Sequence, residues 1–345
     1  MDQNTGWDRL TAPMGTIGRH GWRLILGLIL LGAILLRVGT AVYLGDTVEE
    51  VRGGTWDQKS YDLLAQRVVD GYGFSFGQDW WPQTRAGEPT AHWSYLYTLS
   101  LAGIYALFGH HPLLARLIQA VVVGLLMPYL VYRLGRRTFG PRAGLIAAAA
   151  AAVYLYFVHY AASLMTESLY IVGLLWTLDA AMRLAREVSA PEPGARVLGL
   201  DRRLRLGLEL GLAMGVTLLL RQVIVLFLAV LVLWLLWVAW RRAGLRQVFS
   251  PLIAAALVVA ILILPWLVRN YLAFGLVTFM PNTNSGFAFF WCNHPIYGTR
   301  FESVLSPEHG VSYQDLIPPE LRHLNEAALD RALLARGLIL SYGGG

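Results

Sequence analysis

The sequence predicts an all-α protein that crosses a membrane about seven times. Three observations carry that expectation. Of the 345 residues 56% are hydrophobic and only 14% charged, with mean hydropathy +0.50, whereas soluble domains carry about 25% charged residues. The apolar residues fall in runs close to the roughly 20 residues that a spanning helix needs. The arginines gather in short clusters between those runs. Disorder, collagen-like repeats and a disulfide scaffold are excluded by the same composition, and the single cysteine, Cys292, forbids an intrachain disulfide.

In chain order, residues 1–21 read as a cytoplasmic N-terminus. The first apolar run, Trp22–Leu44, is too long for the apolar region of a signal peptide although Arg19 and Arg23 accompany it. Six more runs follow at Pro112–Leu134, Ala143–Ser163, Ser168–Leu184, Leu206–Leu220, Val223–Trp240 and Val248–Val268. His92–Phe108 is weaker, with His92, Ser94, Tyr95, Tyr97, Thr98, Ser100 and Tyr105 spread through it. It reads as an amphipathic helix at the outer interface. That assignment puts every arginine cluster on the inside: Arg133, Arg136, Arg137 and Arg142; Arg183, Arg186, Arg196, Arg202, Arg203 and Arg205; Arg241, Arg242 and Arg246. The net charge of +6, with Lys59 the only lysine, is then a topology signal, and no nucleic-acid partner is needed to explain it.

With the N-terminus inside, residues 22–268 form the transmembrane module and 45–111 one long external loop. That loop holds Asp46, Glu49, Glu50, Asp57, Asp62, Asp70, Asp79 and Glu88. The turn Leu164–Glu167, the turn at Arg221-Gln222 and the tail from Arg269-Asn270 share its side, so any active face is external. The tail, 269–345, reads as an external loop followed by a helix near Pro319–Leu340. The ending Ser341-Tyr342-Gly343-Gly344-Gly345 offers no closing helix, so the chain reads as cut short or brief for its type.

The local pattern richest in chemistry is Trp56-Asp57-Gln58-Lys59-Ser60-Tyr61-Asp62-Leu63-Leu64-Ala65, followed by Gly71-Tyr72-Gly73-Phe74-Ser75. Tyr61, Leu64, Ala65 and Val68 have the i, i+3, i+4, i+7 spacing of one helical face. Asp57, at the N-terminal edge of that helix, is a helix cap, which needs only a short oxygen acceptor, a catalytic base, or both at once. Glu167 closes a long apolar run, where a carboxylate is costly unless paired or given a task. Asp179 and Glu209, inside apolar runs, read as interhelical hydrogen-bond partners. Arg221 and Arg269 sit at outer boundaries where topology does not need them, and an arginine fork matches phosphate oxygens. Glu88, His92 and His294 are the external oxygen and nitrogen candidates for a divalent ion, without the close His or Cys spacing of a dedicated site.

The stretch from Asp57 to Ser75 resembles the first external loop of GT-C membrane glycosyltransferases, the group of protein mannosyltransferases and aminoarabinose (lipid A) transferases. The resemblance continues through Pro89-Thr90-Ala91-His92-Trp93-Ser94-Tyr95, Phe108-Gly109 and Tyr132–Gly140 to Thr166-Glu167-Ser168-Leu169-Tyr170. It returns at Leu218–Arg221 and at Pro265-Trp266-Leu267-Val268-Arg269-Asn270-Tyr271. Many relatives carry an Asp-Glu pair where this chain has Asp57-Gln58. Phe289-Phe290-Trp291-Cys292-Asn293-His294 is similar to a Phe-Phe-Trp-x-x-His stretch of the aminoarabinose transferases.

The resemblance implies a GT-C fold with two juxtamembrane helices in the first external loop, here 57–71 and 92–108. It implies an inverting transfer of a sugar from a polyprenyl-phosphate donor to a lipid, glycan or protein acceptor, on the external face of the inner cell membrane. Asp57 and Glu167 would be the catalytic carboxylates. Lys59, Tyr61, Arg221, Arg269 and Asn270 would bind the donor and its phosphate, and Glu88 and His294 would hold any divalent ion. The competing readings are a non-catalytic partner subunit, suggested by the missing second carboxylate, and a lipid or sugar transporter. A transporter predicts an inverted repeat and midplane ionisable groups; the polar residues instead gather on one face, and no repeat is found.

Overall fold

The computed structural model describes residues 19–48, 57–190, 201–278, 280–294 and 316–343. Glu49, Glu50, Trp56 and Arg196 lie outside these residues. The described chain is all-helical and forms two units: Met1–Thr47 with His111–Leu262, and Val48–His110 with Ile263–Gly345.

The first unit contains α1 (Arg19–Leu44), which precedes the unit boundary at Thr47, and then the segments that follow His111. Among the described residues five helices are long and apolar enough to cross a membrane, namely Gly21–Leu44, Pro112–Phe139, Glu167–Val188, Gln222–Arg242 and Arg246–Phe274. On α1 the outward residues Leu24, Leu28, Leu31 and Leu35 follow a helical stripe, a face suited to lipid, while Ala33, Arg37 and Ala41 turn inward. α2 (Asp57–Val69) and α3 (Tyr95–Phe108) belong to the second unit. α4 (Pro112–Phe139) packs on α1 where Gly124 meets Ile34: a Cβ there would fall 2.9 Å from the Ile34 Cα. The expected run Ala143–Ser163 is broken into α5 (Pro141–Val153) and α6 (Leu155–Ala162), bent by 55°. α7 (Glu167–Val188) covers α4 through Val172 against Val123, Met127 and Leu130.

α8 (Arg202–Leu220) falls outside the five candidate spans, because its apolar stretch is short and it carries Arg203, Arg205 and Glu209. Its packing is nonetheless close. Gly207, Gly211 and Gly215 recur every fourth residue, and Cβ atoms on them would fall 2.4 Å from the Pro251 carbonyl oxygen, 2.5 Å from that of Ala255 and 2.5 Å from Leu262 Cδ1. Small residues at that spacing let membrane helices approach to backbone contact. A 3₁₀ turn, Gln222–Ile224, leads into α9 (Val225–Arg242), and α10 (Arg246–Phe274) begins in this unit.

Arginines of the first two clusters are bonded rather than merely displayed. Asp179 on α7 is 0% exposed and takes Arg133 at 2.8 Å, Arg183 at 3.0 Å and also Arg137. Arg183 reaches on to Glu209 Oε2 at 2.8 Å, and Trp176 donates to Glu209 Oε1 at 3.1 Å. The expectation of interhelical partners for both carboxylates is met.

In the second unit, Tyr61, Leu64 and Ala65 form the buried face of α2, as their spacing predicts. Gly71 (φ +84°) takes a conformation L side chains rarely adopt, two residues beyond the helix end. α3 is capped by Ser94, whose side chain accepts the Tyr97 N–H. With 14 residues it is about 21 Å long at 1.5 Å per residue, short of a hydrocarbon core of about 30 Å. The same unit holds the end of α10, α11 (Ser285–Asn293) and α12 (Glu326–Gly343). α12 runs on through Ser341–Gly343, so the expectation of no helix there is corrected. Phe287, Phe290, Trp291, Leu329 and Leu333 form the α11–α12 core. Asp330 accepts the Gly286 and Phe287 N–H groups at 2.7 and 3.0 Å, closing the start of α11. Glu326, 3% exposed, accepts from Thr84, Thr90, Thr283 and the Ala91 N–H at 2.6–2.8 Å.

Candidate active site

In the first unit the turn Ser163–Thr166 delivers Glu167 as the first residue of α7. Arg221 ends α8 with extended backbone, and its Nη2 lies 3.0 Å from Glu167 Oε1. The two residues that the sequence treats as a catalytic carboxylate and a phosphate ligand are therefore one ion pair. Glu167 is 9% exposed, and its Oε2, like the neighbouring Ser168 Oγ, is buried without a hydrogen-bond partner among the described residues. A buried acceptor left without a donor costs about 1–3 kcal/mol.

In the second unit Asp57 is the first residue of α2, where the helix dipole favours a carboxylate. Lys59 lies two residues on, half-buried like Asp57. Tyr61 is buried and packs edge-on against Trp93 and Tyr97, with ring centroids 5.3 and 4.8 Å away. Arg269 is the most elaborately held of the predicted residues. Its Nη1 donates to the Thr90 carbonyl at 3.0 Å, Tyr95 Oη at 2.8 Å and Asn270 Oδ1 at 3.3 Å, and Nη2 donates to the Phe74 carbonyl at 3.3 Å. Asn270, 0% exposed, accepts from Tyr95 Oη at 2.7 Å and donates to the Pro281 carbonyl at 2.7 Å. Burial raises the Tyr95 hydroxyl pKa above its ordinary value, against the nearby Arg269 charge, so Tyr95 stays a neutral donor. Arg269 lines a cleft of about 660 Å³ with Gly73, Phe74, Pro89, Val268 and Leu272. The site thus presents one guanidinium in an otherwise mostly apolar wall.

The metal candidates are not drawn together in this way. Glu88 sits 3.8 Å from Arg85. His294 packs edge-on against Phe290, and partial burial lowers its pKa. His92 is enclosed by Trp81, Trp93 and Phe287, and burial pushes its pKa down to about 3. Among the described residues no three His, Cys, Asp or Glu side chains converge on a point that could hold a metal ion. These residues do not fit a divalent ion, and no chemical step is assigned to one.

The spacing of the sequence missed a further cluster. Asp62 Oδ1 accepts from Tyr105 Oη at 2.6 Å and faces His110 Nε2 at 2.9 Å, while Gln66 donates to Oδ2 at 2.9 Å. It ties the end of α3 back onto α2, and His110, two residues beyond the helix end, is part of it. Its members lie 43 and 48 residues apart in the chain, so no local motif could have found them.

The sequence profile described as dolichyl-phosphate-mannose-protein mannosyltransferase matches residues 94–268, just over half of the chain. The chain belongs to that family. It is a GT-C membrane glycosyltransferase, polytopic and all-helical. No curated protein and no solved structure matches it. The matched part of this mannosyltransferase-family chain includes Glu167 and Arg221. It leaves out Asp57, Lys59, Tyr61 and Glu88 on one side and Arg269, Asn270 and His294 on the other.

Proposed function

We propose that this glycosyltransferase inverts the anomeric centre of a sugar as it moves it from a polyprenyl-phosphate donor to a lipid, glycan or protein acceptor. The observation that carries the reading is Arg269, a guanidinium fixed by carbonyls and Tyr95 at the wall of a mainly apolar cleft. Such a wall suits a phosphate attached to a lipid tail, because the fork binds oxygens and the apolar lining takes the chain. Asn270 holds Tyr95, and Tyr95 in turn holds Arg269. The family's name, with its lipid-phosphate sugar, supports the same donor class.

In this reading Asp57 removes the proton from the acceptor nucleophile as it attacks the anomeric carbon. The phosphate departs already ionised, so cations rather than a general acid stabilise it; Arg269 or Arg221 is proposed for that task, with Lys59 a further candidate. Glu167, paired with Arg221, is proposed as a second functional carboxylate. The proposed setting is the external face of the inner cell membrane, with seven crossings when α5–α6 and α8 are each counted as one. The positive-inside distribution of arginine supports that orientation.

The test is transfer of radiolabelled mannose from polyprenyl-phosphate mannose by the purified chain in nanodiscs. Transfer should be measurable, and Asp57→Asn should reduce it by about 10²–10⁴-fold, the range for loss of a general base. Asn is a helix-terminal residue as good as Asp, so the variant should keep its melting temperature. A folded parent protein with no transfer activity would favour the partner-subunit reading, and parent-rate transfer by Asp57→Asn would leave Asp57 as a cap.

A further inference from the structure

Arg37 lies within the span Gly21–Leu44 and is 0% exposed. An arginine at that depth is costly and needs partners. Its partners are all backbone carbonyls: Nη1 donates to Ala33 at 3.0 Å and to Ala152 at 2.9 Å, and Nη2 to Ala151 at 3.1 Å. Ala151 and Ala152 stand immediately before the break between α5 and α6. In an unbroken helix their carbonyls would accept the N–H groups of Leu155 and Tyr156. The extended backbone at Tyr154 (φ −63°, ψ 116°) turns those N–H groups away.

The sequence across the break gives no reason for it. Leu145–Tyr156 reads Leu-Ile, six alanines, Val-Tyr-Leu-Tyr, with no Pro, Gly or Ser and with the best of helix formers at its centre. Sharp bends arise at Pro, at Gly or Ser, at π-bulges, or where a side chain inserts into the hydrogen-bond ladder. The inserted side chain here is Arg37. A second side chain secures the far end of α6: Gln119 Nε2 donates to the carbonyls of Tyr160, Ala161 and Ser163 at 3.2, 3.1 and 2.6 Å. The next residues are the turn that delivers Glu167 to Arg221.

We propose that Arg37 is a positioning residue for the Glu167–Arg221 pair: it opens the helix ladder at Ala151 and Ala152 and so sets the tilt of α6. Gln119 holds the other end of α6, from which the turn Ser163–Thr166 leads directly to Glu167 and its contact with Arg221. The structural half of this proposal is independent of the reaction; only its kinetic half rests on the glycosyltransferase reading above.

The structural test is residue-resolved hydrogen exchange of the whole chain in nanodiscs. In Arg37→Met the ladder should close, so exchange at the Leu155 and Tyr156 amides should slow about tenfold, the worth of one net backbone hydrogen bond. Exchange at Glu167 and Ser168 should become faster. Simple loss of packing would instead speed exchange at all four amides, and that result, or unchanged rates, overturns the proposal. Arg37→Lys keeps charge and donors on a single nitrogen but lacks the planar fork that spans the two carbonyls, so it should fall between parent and Met. It carries the same test if the Met variant does not fold, with parent rates overturning the idea. The kinetic test is a double-mutant cycle: Arg37→Met should lower kcat in the parent yet add nothing in a Glu167→Gln background. Equal losses in both backgrounds overturn the positioning role while leaving the glycosyltransferase reading intact.

Discussion

Arg221 Nη2 and Glu167 Oε1 lie 3.0 Å apart, joining the residue that ends α8 to the residue that begins α7. The carboxylate is 11% exposed at its side chain and the guanidinium 40%, so the two are unequal partners. Removing the cation strands a buried charge, whereas removing the carboxylate leaves an arginine that can still reach water.

That inequality gives a directional expectation. Arg221→Ala should lower thermal stability in detergent more than Glu167→Gln does. Stranding a buried partner costs about 3–5 kcal/mol when fully enclosed, and the partial exposure here should reduce that severalfold. The double variant should recover part of the loss suffered by Arg221→Ala. Melting temperatures of the four proteins decide it, and strictly additive losses would mean that the two side chains do not interact.

Arg269 separates phosphate recognition from packing. Arg269→Lys retains the charge but not the planar fork, so it should raise the KM for the lipid-phosphate donor while the KM for acceptor stays put. Arg269→Ala should also lower stability, because four hydrogen bonds to Thr90, Tyr95, Asn270 and Phe74 go with it. A lysine variant with the parent's donor KM would limit Arg269 to the packing of its own unit.

The glycine stripe of α8 makes a packing prediction. Gly211→Val places its first carbon 2.5 Å from the Ala255 carbonyl. Overpacking typically costs about 1–3 kcal/mol; backbone contact should bring this variant to the upper end or beyond. Gly27→Ala is the control, since a Cβ there meets nothing within 4 Å. Size-exclusion profiles and melting temperatures should show loss of folded protein for Gly211→Val and none for Gly27→Ala.

Two buried groups of the second unit push acid stability in opposite directions. Burial raises the Asp330 pKa to about 6, from 3.8. The folded state therefore binds more protons than the unfolded one between those values, and this group's contribution is largest at low pH and lost as pH rises through about 6. Burial lowers the His92 pKa from 6.5 to about 3. Here the unfolded state binds more protons, so stability is lost as pH falls below about 6.5. Relative to the parent, His92→Phe should resist acid better at pH 4.5 than at pH 7.5. Asp330→Asn, which keeps an oxygen for Gly286 and Phe287, should gain stability at pH 7.5 and lose that advantage at pH 4.5. Thermal scans at the two pH values measure both differences.

The helices were readable because the bilayer makes length and hydropathy decisive. Each apolar run appears as a helix except Ala143–Ser163, which is two, and Tyr61, Leu64 and Ala65 turn inward on α2 as their spacing requires. The break at Tyr154 was not readable, because its cause stands more than a hundred residues away on α1. Arg37 did carry a signal, a charge inside the first apolar run, and Gly207, Gly211 and Gly215 carried another in their spacing. The pairing of Glu167 with Arg221 had none: each was recognised as a misplaced charge, but only packing α7 on α8 shows that they answer one another. Asp62, Tyr105 and His110 likewise meet only after α3 folds back on α2.

Asp179 gives its arginines a history as well as a place. Arg137 precedes Asp179 by 42 residues, which at about 5–20 residues per second is a delay of about 2–8 s during synthesis. For that interval the cations at the end of α4 stand without the carboxylate that will later hold them, at the stage when basic residues bias the orientation of a nascent span. When α7 arrives, Asp179 takes them up and the same side chains become interhelical mortar. Arg133 and Arg137 thus serve twice, first as free charge on a growing chain and then as ligands of one buried carboxylate.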